Sequence, residues 1–245
     1  MKRKLKDVIN LKRLLTGEKY TWRIRNLQDL LNLAEQVNHD GENFDGWIIK
    51  LECDLDLSGI SWEPIGNSLS RPFCGEFDGK GHTITGLRLQ TNARFVGFFG
   101  VLKGAAPVGV AEVRKLYLQD VALSGSADTS WTGAIAGYAG EGTLIENCHV
   151  IGDIRSQSFV GGVVGVVDGS VGIRDCIVKG TVVGENLEGI ITRDNVAGAI
   201  AGKYTTNSIL RDCYSNALRA NGTLLPNQVG KFDDNSYIKL NINEN

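Results

Sequence analysis

The feature that most constrains this chain is a glycine–cysteine repeat in its second half. The segments GAIAGYAGEGTLIENCHVIG (133–152), GVVGVVDGSVGIRDCIVKG (162–180) and GAIAGKYTTNSILRDCYS (198–215) align directly. In each, a cysteine follows a glycine by eleven positions: Gly137 and Cys148, Gly165 and Cys176, Gly202 and Cys213. The copies are 28 and then 37 residues apart, and the nine extra residues fall in the polar stretch ENLEGIITRDN. Apolar strands this short, separated by Gly, Asn and Asp, cannot each bury a face alone. Stacked as coils about 4.8 Å apart, they share one interior. The repeat therefore predicts an all-β fold, a right-handed parallel β-helix (β-solenoid).

Fainter copies lie upstream. VGFFG (96–100) matches GAIAG, VRKLYL (113–118) matches IENCHV, and ITGLRL (84–89) is read as one copy earlier. The alignment predicts an inward column of Leu87, Leu116, Cys148, Cys176 and Cys213. Phe98, Ile135, Val163 and Ile200 form a second, with Gly100, Gly137, Gly165 and Gly202 at the following corner. Cys148, His149 and Val150 then read as an in–out–in triplet.

A solenoid has open ends that need cover. In NLQDLLNLAEQVN (26–38), Leu27, Leu30, Leu31, Ala34 and Val37 share one helical face. Asn26 suits the N-cap and Asp29 the first turn. The chain divides on this reading into an N-terminal segment with a capping helix (1–46), the coils (47–219, opening with WIIKLECDLDL) and a C-terminal strand or cap (220–245). SYIKLNI (236–242) is the expected last strand.

Composition narrows the functional classes. A formal net charge of −2 provides no basic excess for a nucleic-acid partner. No apolar run is long enough to span a bilayer, so the chain is not expected to insert into a membrane. The basic start, MKRKLKDVINLKRLLTGEKY, lacks a continuous apolar core and does not read as a secretory signal. The chain is then either cytosolic or part of a longer exported precursor. Five cysteines leave at least one without an intramolecular partner, and none has a metal-ligand spacing. No cofactor or metal is expected.

The blocks LQDLLNLAEQVN, IIKLECDLDLSGISWEPIG (48–66) and FCGEFDGKGHTITGL (73–87), followed by the three glycine–cysteine copies, resemble the bacterial repeat proteins that carry the GLUG motif. These occur in large surface, secreted and adhesin-like proteins. The resemblance implies a parallel β-helix located outside the cytoplasm, at the cell surface or secreted. It carries over no catalytic motif. An export signal and an anchoring sequence after Asn245 are absent from the chain as given.

Candidate chemistry is sparse. Asp175 and Asp212 hold equivalent places in adjacent coils, at a separation glycoside hydrolysis would use. Their column also contains Asn147, Lys115 and Gly86, the pattern of a polar corner. Asp54/Asp56 and Asp233/Asp234 read as strand-edge or loop charges. His39, His82 and His149 lie apart in the repeat, and no serine or cysteine has an evident histidine partner. The cysteine column is explained by packing, because buried cysteine behaves as a small apolar residue.

The outward columns are more suggestive. Thr85, Arg114, Glu146, Arg174 and Arg211 place Glu146 between arginines, a potential charge ladder. Arg88, Tyr117, His149, Ile177 and Tyr214 form the next. Tyr117, His149 and Tyr214 are candidate ligand-binding residues, as is Trp131 in the loop-like SADTSWTG. The leading expectation is a non-enzymatic surface or secreted module with an adhesive or spacer role, its partner a host or bacterial surface glycan or protein. A carbohydrate-active enzyme and a cytosolic interaction scaffold are the alternatives.

Overall fold

A computed structural model describes residues 19–184, 197–205, 208–219, 222–225 and 229–232. Short parallel strands stack in successive coils, forming the predicted β-solenoid. Among the described residues, four sheets run along it. The first contains seven strands, Tyr20–Ile24, Trp47–Leu51, Glu76–Asp78, Ala111–Arg114, Thr143–Glu146, Val171–Arg174 and Ile209–Arg211. The second includes the long strands Tyr117–Gly125, His149–Ser156 and Ile177–Gly184. The third holds Phe95–Val96, Trp131–Gly133, Phe159–Gly161 and Ala197–Gly198. The fourth holds Phe99–Leu102, Ala136–Ala139, Val164–Val167, Ala201–Tyr204 and Val229–Phe232.

One continuous apolar core fills the solenoid. Its N-terminal part is aromatic: Trp62 stacks on Phe98 at 5.0 Å, and Phe77 meets both Phe98 and Phe99 edge-on. Further along, small residues take over, with Leu116, Cys148 and Cys176 all fully buried in one column. Cys213 continues that column but is half-buried. Phe98, Ile135, Val163 and Ile200 form the second interior column as expected, each fully buried; the Ile135 N–H donates to the Val163 carbonyl, that of Val163 to Ile200, and that of Phe98 to Ala134.

The turns between first and second sheets explain the polar corner. Lys115, Asn147, Asp175 and Asp212 all have left-handed backbones, with φ between 50° and 54°. Asn and Asp tolerate that region better than most residues because their short polar side chains bond locally. This conformation gives Asp175 and Asp212 a structural reason for their place in the turn.

Four placements differ from the sequence reading. ITGLRL is not the upstream copy of VRKLYL: Asp78 pairs with Arg114 and Thr83 with Tyr117, so FDGKGHTI is. That corner carries two extra residues, including the left-handed Lys80 and Gly81, which concealed the match. Leu87 is buried, but beside Val121, because Arg88 pairs with Ala122; Gly86, Thr85 and Arg88 leave their assigned columns with it.

Gly100, Gly137, Gly165 and Gly202 lie inside strands of the fourth sheet, not at a corner. A Cβ on Gly165 would stand 2.5 Å from the Thr132 nitrogen, and one on Gly137 2.6 Å from that of Val96. Glycine is needed because third-sheet backbone approaches that closely. WEPIG supplies an earlier member of this column. Ile65 bridges to Phe99, and Gly66 meets Gly100.

The coils also begin before residue 47. Tyr20–Ile24 pairs in register with Trp47–Leu51, and the helix lies in the connection between them. That helix, Leu27–Glu35, is capped by the Asn26 side chain, which accepts from the Asp29 N–H at 3.0 Å. Leu30, Leu33, Ala34 and Val37 join the core. Just beyond, buried Asn38 accepts from the Gly66 and Asn67 N–H groups and donates to the Pro64 carbonyl, tying the helical segment to WEPIG. Trp131 occupies a strand rather than a loop. ENLEGIITRDN, Asp233/Asp234 and SYIKLNI lie outside the described residues.

Candidate functional site

Strand alternation sends every second side chain outward, and in-register stacking gathers these into columns parallel to the solenoid axis. On the second sheet one column runs Thr83, Tyr117, His149, Ile177, Tyr214. Tyr117, His149 and Tyr214 are thus brought onto one face as expected, with Ile177 between the last two. The Tyr117 and His149 rings stack at 4.3 Å with planes 8° apart. They spend one face each on one another. Tyr214 is 56% exposed. Burial, and then the Lys179 charge, lower the His149 pKa below its usual value.

Trp131 belongs to a different surface. Phe95, Trp131 and Phe159 form an outward column on the third sheet. Val101, Tyr138, Val166 and Lys203 form one on the fourth. Because the glycines let the two backbones approach, the outer faces meet in a concave corner. Trp131 stacks with Tyr138 at 5.6 Å, and Phe95 meets both rings. Phe95, Val101 and Val166 are buried here, outside the main core.

Charged groups rim this corner. The Arg94 guanidinium lies 4.2 Å from the Trp131 ring centroid, and the Lys203 ammonium 5.7 Å from that of Phe159, both within cation–π range. The Tyr138 hydroxyl donates to Asp168 at 2.9 Å, and the Thr205 hydroxyl donates to the same carboxylate at 3.1 Å. Burial chiefly, and the Asp168 charge, push the Tyr138 pKa up. The tyrosine is therefore a neutral donor at ordinary pH. Chemically the corner offers aromatic area, cations and a polar rim.

Sequence reading found Trp131 but not its partners. The signal was the recurrence of an aromatic two places before a glycine in three successive copies: Phe95, Trp131 and Phe159 precede Gly97, Gly133 and Gly161.

The remaining candidates have local partners. On the first sheet Glu146 stands between Arg114 and Arg174 in register. It accepts from the Arg174 Nε at 2.6 Å, while Arg114 donates to Glu112 and Asp78 at 2.9 and 3.1 Å. Asp54 accepts from the Thr83 N–H at 2.9 Å and faces the His82 Nδ1 at 3.1 Å; the Thr83 bond first, then His82, lowers its pKa. Asp56 accepts from the Ser58 N–H at 2.8 Å. Both are strand-edge residues. Among the described residues no group of three or more His, Cys, Asp or Glu side chains is placed to hold a metal ion. No described helix is long and apolar enough to cross a membrane. An open cleft of about 440 Å³ on the second sheet is lined by Arg88, Gln90, Ser124, Asp153 and Arg155, among others.

No family model matches the chain. Halomucin of Haloquadratum walsbyi is 34% identical over 131 residues, covering 49% of this chain and 1% of halomucin. A provisionally named Gly-rich membrane protein of Evansella cellulosilytica is 32% identical over 80 residues, covering 31% of this chain and 9% of its own length. The chain thus spans only a small part of either relative. A Bacteroides ovatus crystal structure, provisionally named an immunoglobulin A1 protease, superposes with a TM-score of 0.67 at 21% identity, over 92% of this chain and 65% of that one. What this chain shares with that structure is the β-solenoid fold.

Proposed function

We propose that the chain is a non-catalytic module of a surface or secreted protein, of the GLUG-repeat type, serving as a stiff spacer with an adhesive outer face. The observation that carries this reading is the concave aromatic corner of Phe95, Trp131, Tyr138 and Phe159, rimmed by Arg94, Lys203 and Asp168. Aromatic and arginine side chains on a rigid support are the groups that dominate binding energy at interfaces. The residues that define the repeat point inward and serve packing, which leaves recognition to the outer columns. The names of the two relatives, a halomucin and a Gly-rich membrane protein, agree with a location outside the cytoplasm. The neighbouring structure's provisional name also suits a surface or secreted protein.

The test presents the immobilised full chain with panels of surface glycans and extracellular proteins. Specific binding should weaken at least about tenfold in Trp131→Ala, the loss expected of one hot-spot aromatic. Tyr138→Phe should weaken it less. Binding unaffected by either change would remove the corner from the proposal. Cleavage of a panel glycan, abolished by Asp175→Ala or Asp212→Ala, would establish the enzymatic alternative instead.

A further inference from the structure

The three repeat cysteines do more than fill one column. The N–H of the residue after each bonds to the carbonyl of the member one coil earlier: His149 to Leu116 at 3.1 Å, Ile177 to Cys148 at 2.9 Å, Tyr214 to Cys176 at 2.9 Å. Successive cysteines are therefore stacked at about the strand spacing of 4.8 Å, inside the Cα separation of about 4.4–6.8 Å that a disulfide spans. Their side chains share one orientation. Each thiol donates to the carbonyl two residues earlier, Cys148 to Glu146 at 3.4 Å, Cys176 to Arg174 and Cys213 to Arg211 at 3.3 Å. The Cys176 thiol also contacts the thiols of both Cys148 and Cys213.

Only one bond can form in such a row, and the surroundings choose which. Cys148 and Cys176 are fully buried, each with a coil on either side. Cys213 is half-buried and precedes the two-residue strand Tyr214–Ser215, the outermost strand of the second sheet among the described residues. Local opening is easiest where paired strand is short and exposed. We infer that Cys176 and Cys213 form a redox modification site, closing an inter-coil disulfide by exchange with a small disulfide such as glutathione disulfide, while Cys148 stays reduced.

The exchange has two steps. As the short Tyr214–Ser215 strand opens, the Cys213 thiolate attacks one sulfur of the small disulfide, forming a mixed disulfide and expelling one thiolate. The Cys176 thiolate then attacks the Cys213 sulfur and expels the second. Two protein thiols are oxidised, one small disulfide is reduced to two thiols, and the two protein protons end on the leaving thiolates. Hydrogen bonding to the neighbouring cysteine first, and burial after it, raises both protein thiols in pKa, so reaction waits on opening rather than on a standing thiolate.

The test incubates the folded full chain with glutathione disulfide, blocks remaining thiols by alkylation, and maps the peptides by mass spectrometry. A Cys176–Cys213 linked peptide is expected in the unaltered chain and in Cys148→Ser, with Cys148 alkylated only after unfolding. Cys176→Ser should stop at a glutathione adduct on Cys213. The linked form should show slower hydrogen exchange in 209–218 than the reduced form. A Cys148–Cys176 link, a stable Cys213 adduct in the unaltered chain, or a fully unreactive Cys213 would each overturn the inference. Because this readout involves no ligand, its failure is separate from failure of the adhesive reading.

Discussion

The Tyr117 ring lies flat on the His149 imidazole one coil away, centroids 4.3 Å apart and planes 8° from parallel. Burial and the Lys179 charge disfavour the imidazolium there, so the folded pKa lies below the unfolded one. Between those two values the unfolded chain binds more protons than the folded chain. Stability is therefore fully present above the unfolded value of about 6.5 and is lost as pH falls through the window down to the folded value. Thermal melts at about pH 7.5 and 5 should show this loss, and His149→Gln should diminish it.

The fourth-sheet glycines give a sharper contrast. Gly165→Ala would put a methyl 2.5 Å from the Thr132 nitrogen and 2.7 Å from the Gly137 oxygen, both backbone. Overpacking against backbone costs about 1–3 kcal/mol and occasionally more, so denaturant melts should place this variant at or beyond the upper end. At Gly172 the near atom among the described residues is the Leu144 Cδ1 at 3.0 Å, which can swing aside. Gly172→Ala should stay within about 1 kcal/mol of the parent.

The left-handed corners offer a gain. Lys115 has φ 50°, with no short polar side chain to favour it. Lys115→Gly relieves strain of about 1–2 kcal/mol and gives back roughly 0.5–1 in unfolded-state entropy, so a small rise in melting temperature is expected. Asp175→Gly should likewise fold, while Asp175→Val should lose at least about 1 kcal/mol. A glycan-binding activity unchanged in Asp175→Gly would locate that residue's role in the turn.

The Glu146–Arg174 pair crosses between coils on a partly exposed face. A double-mutant cycle to alanine should return a coupling of about 0.2–1 kcal/mol, smaller in high salt.

Most of the fold was legible because the repeat fixes register. Once Gly137, Gly165 and Gly202 are aligned, Ile135, Val163 and Ile200 and the cysteines must face inward together. Legibility failed where a corner changed length. The longer corner between Asp78 and Thr83 hid the register, so that ITGLRL was set five residues out, Ile84 pairing with Leu118 and not Val113, although FDGKG carried the turn chemistry in plain view. Tyr20–Ile24 was missed because a helix separates it from its partner strand. The aromatic corner was only partly readable, since what joins Trp131 to Tyr138 is the close approach of two backbones, and sequence spacing does not express that.

The hydrogen bonds joining coil to coil run along the solenoid axis, and this sets the mechanical response. A pull along that axis loads them one coil at a time, as in opening a zipper, rather than all together as in shear. Each coil adds about 4.8 Å of height while folded. Drawn out, a repeat of 28 residues reaches about 90 Å. A tether made of such coils yields in small steps, lengthening nearly twentyfold per coil released while the coils behind it hold.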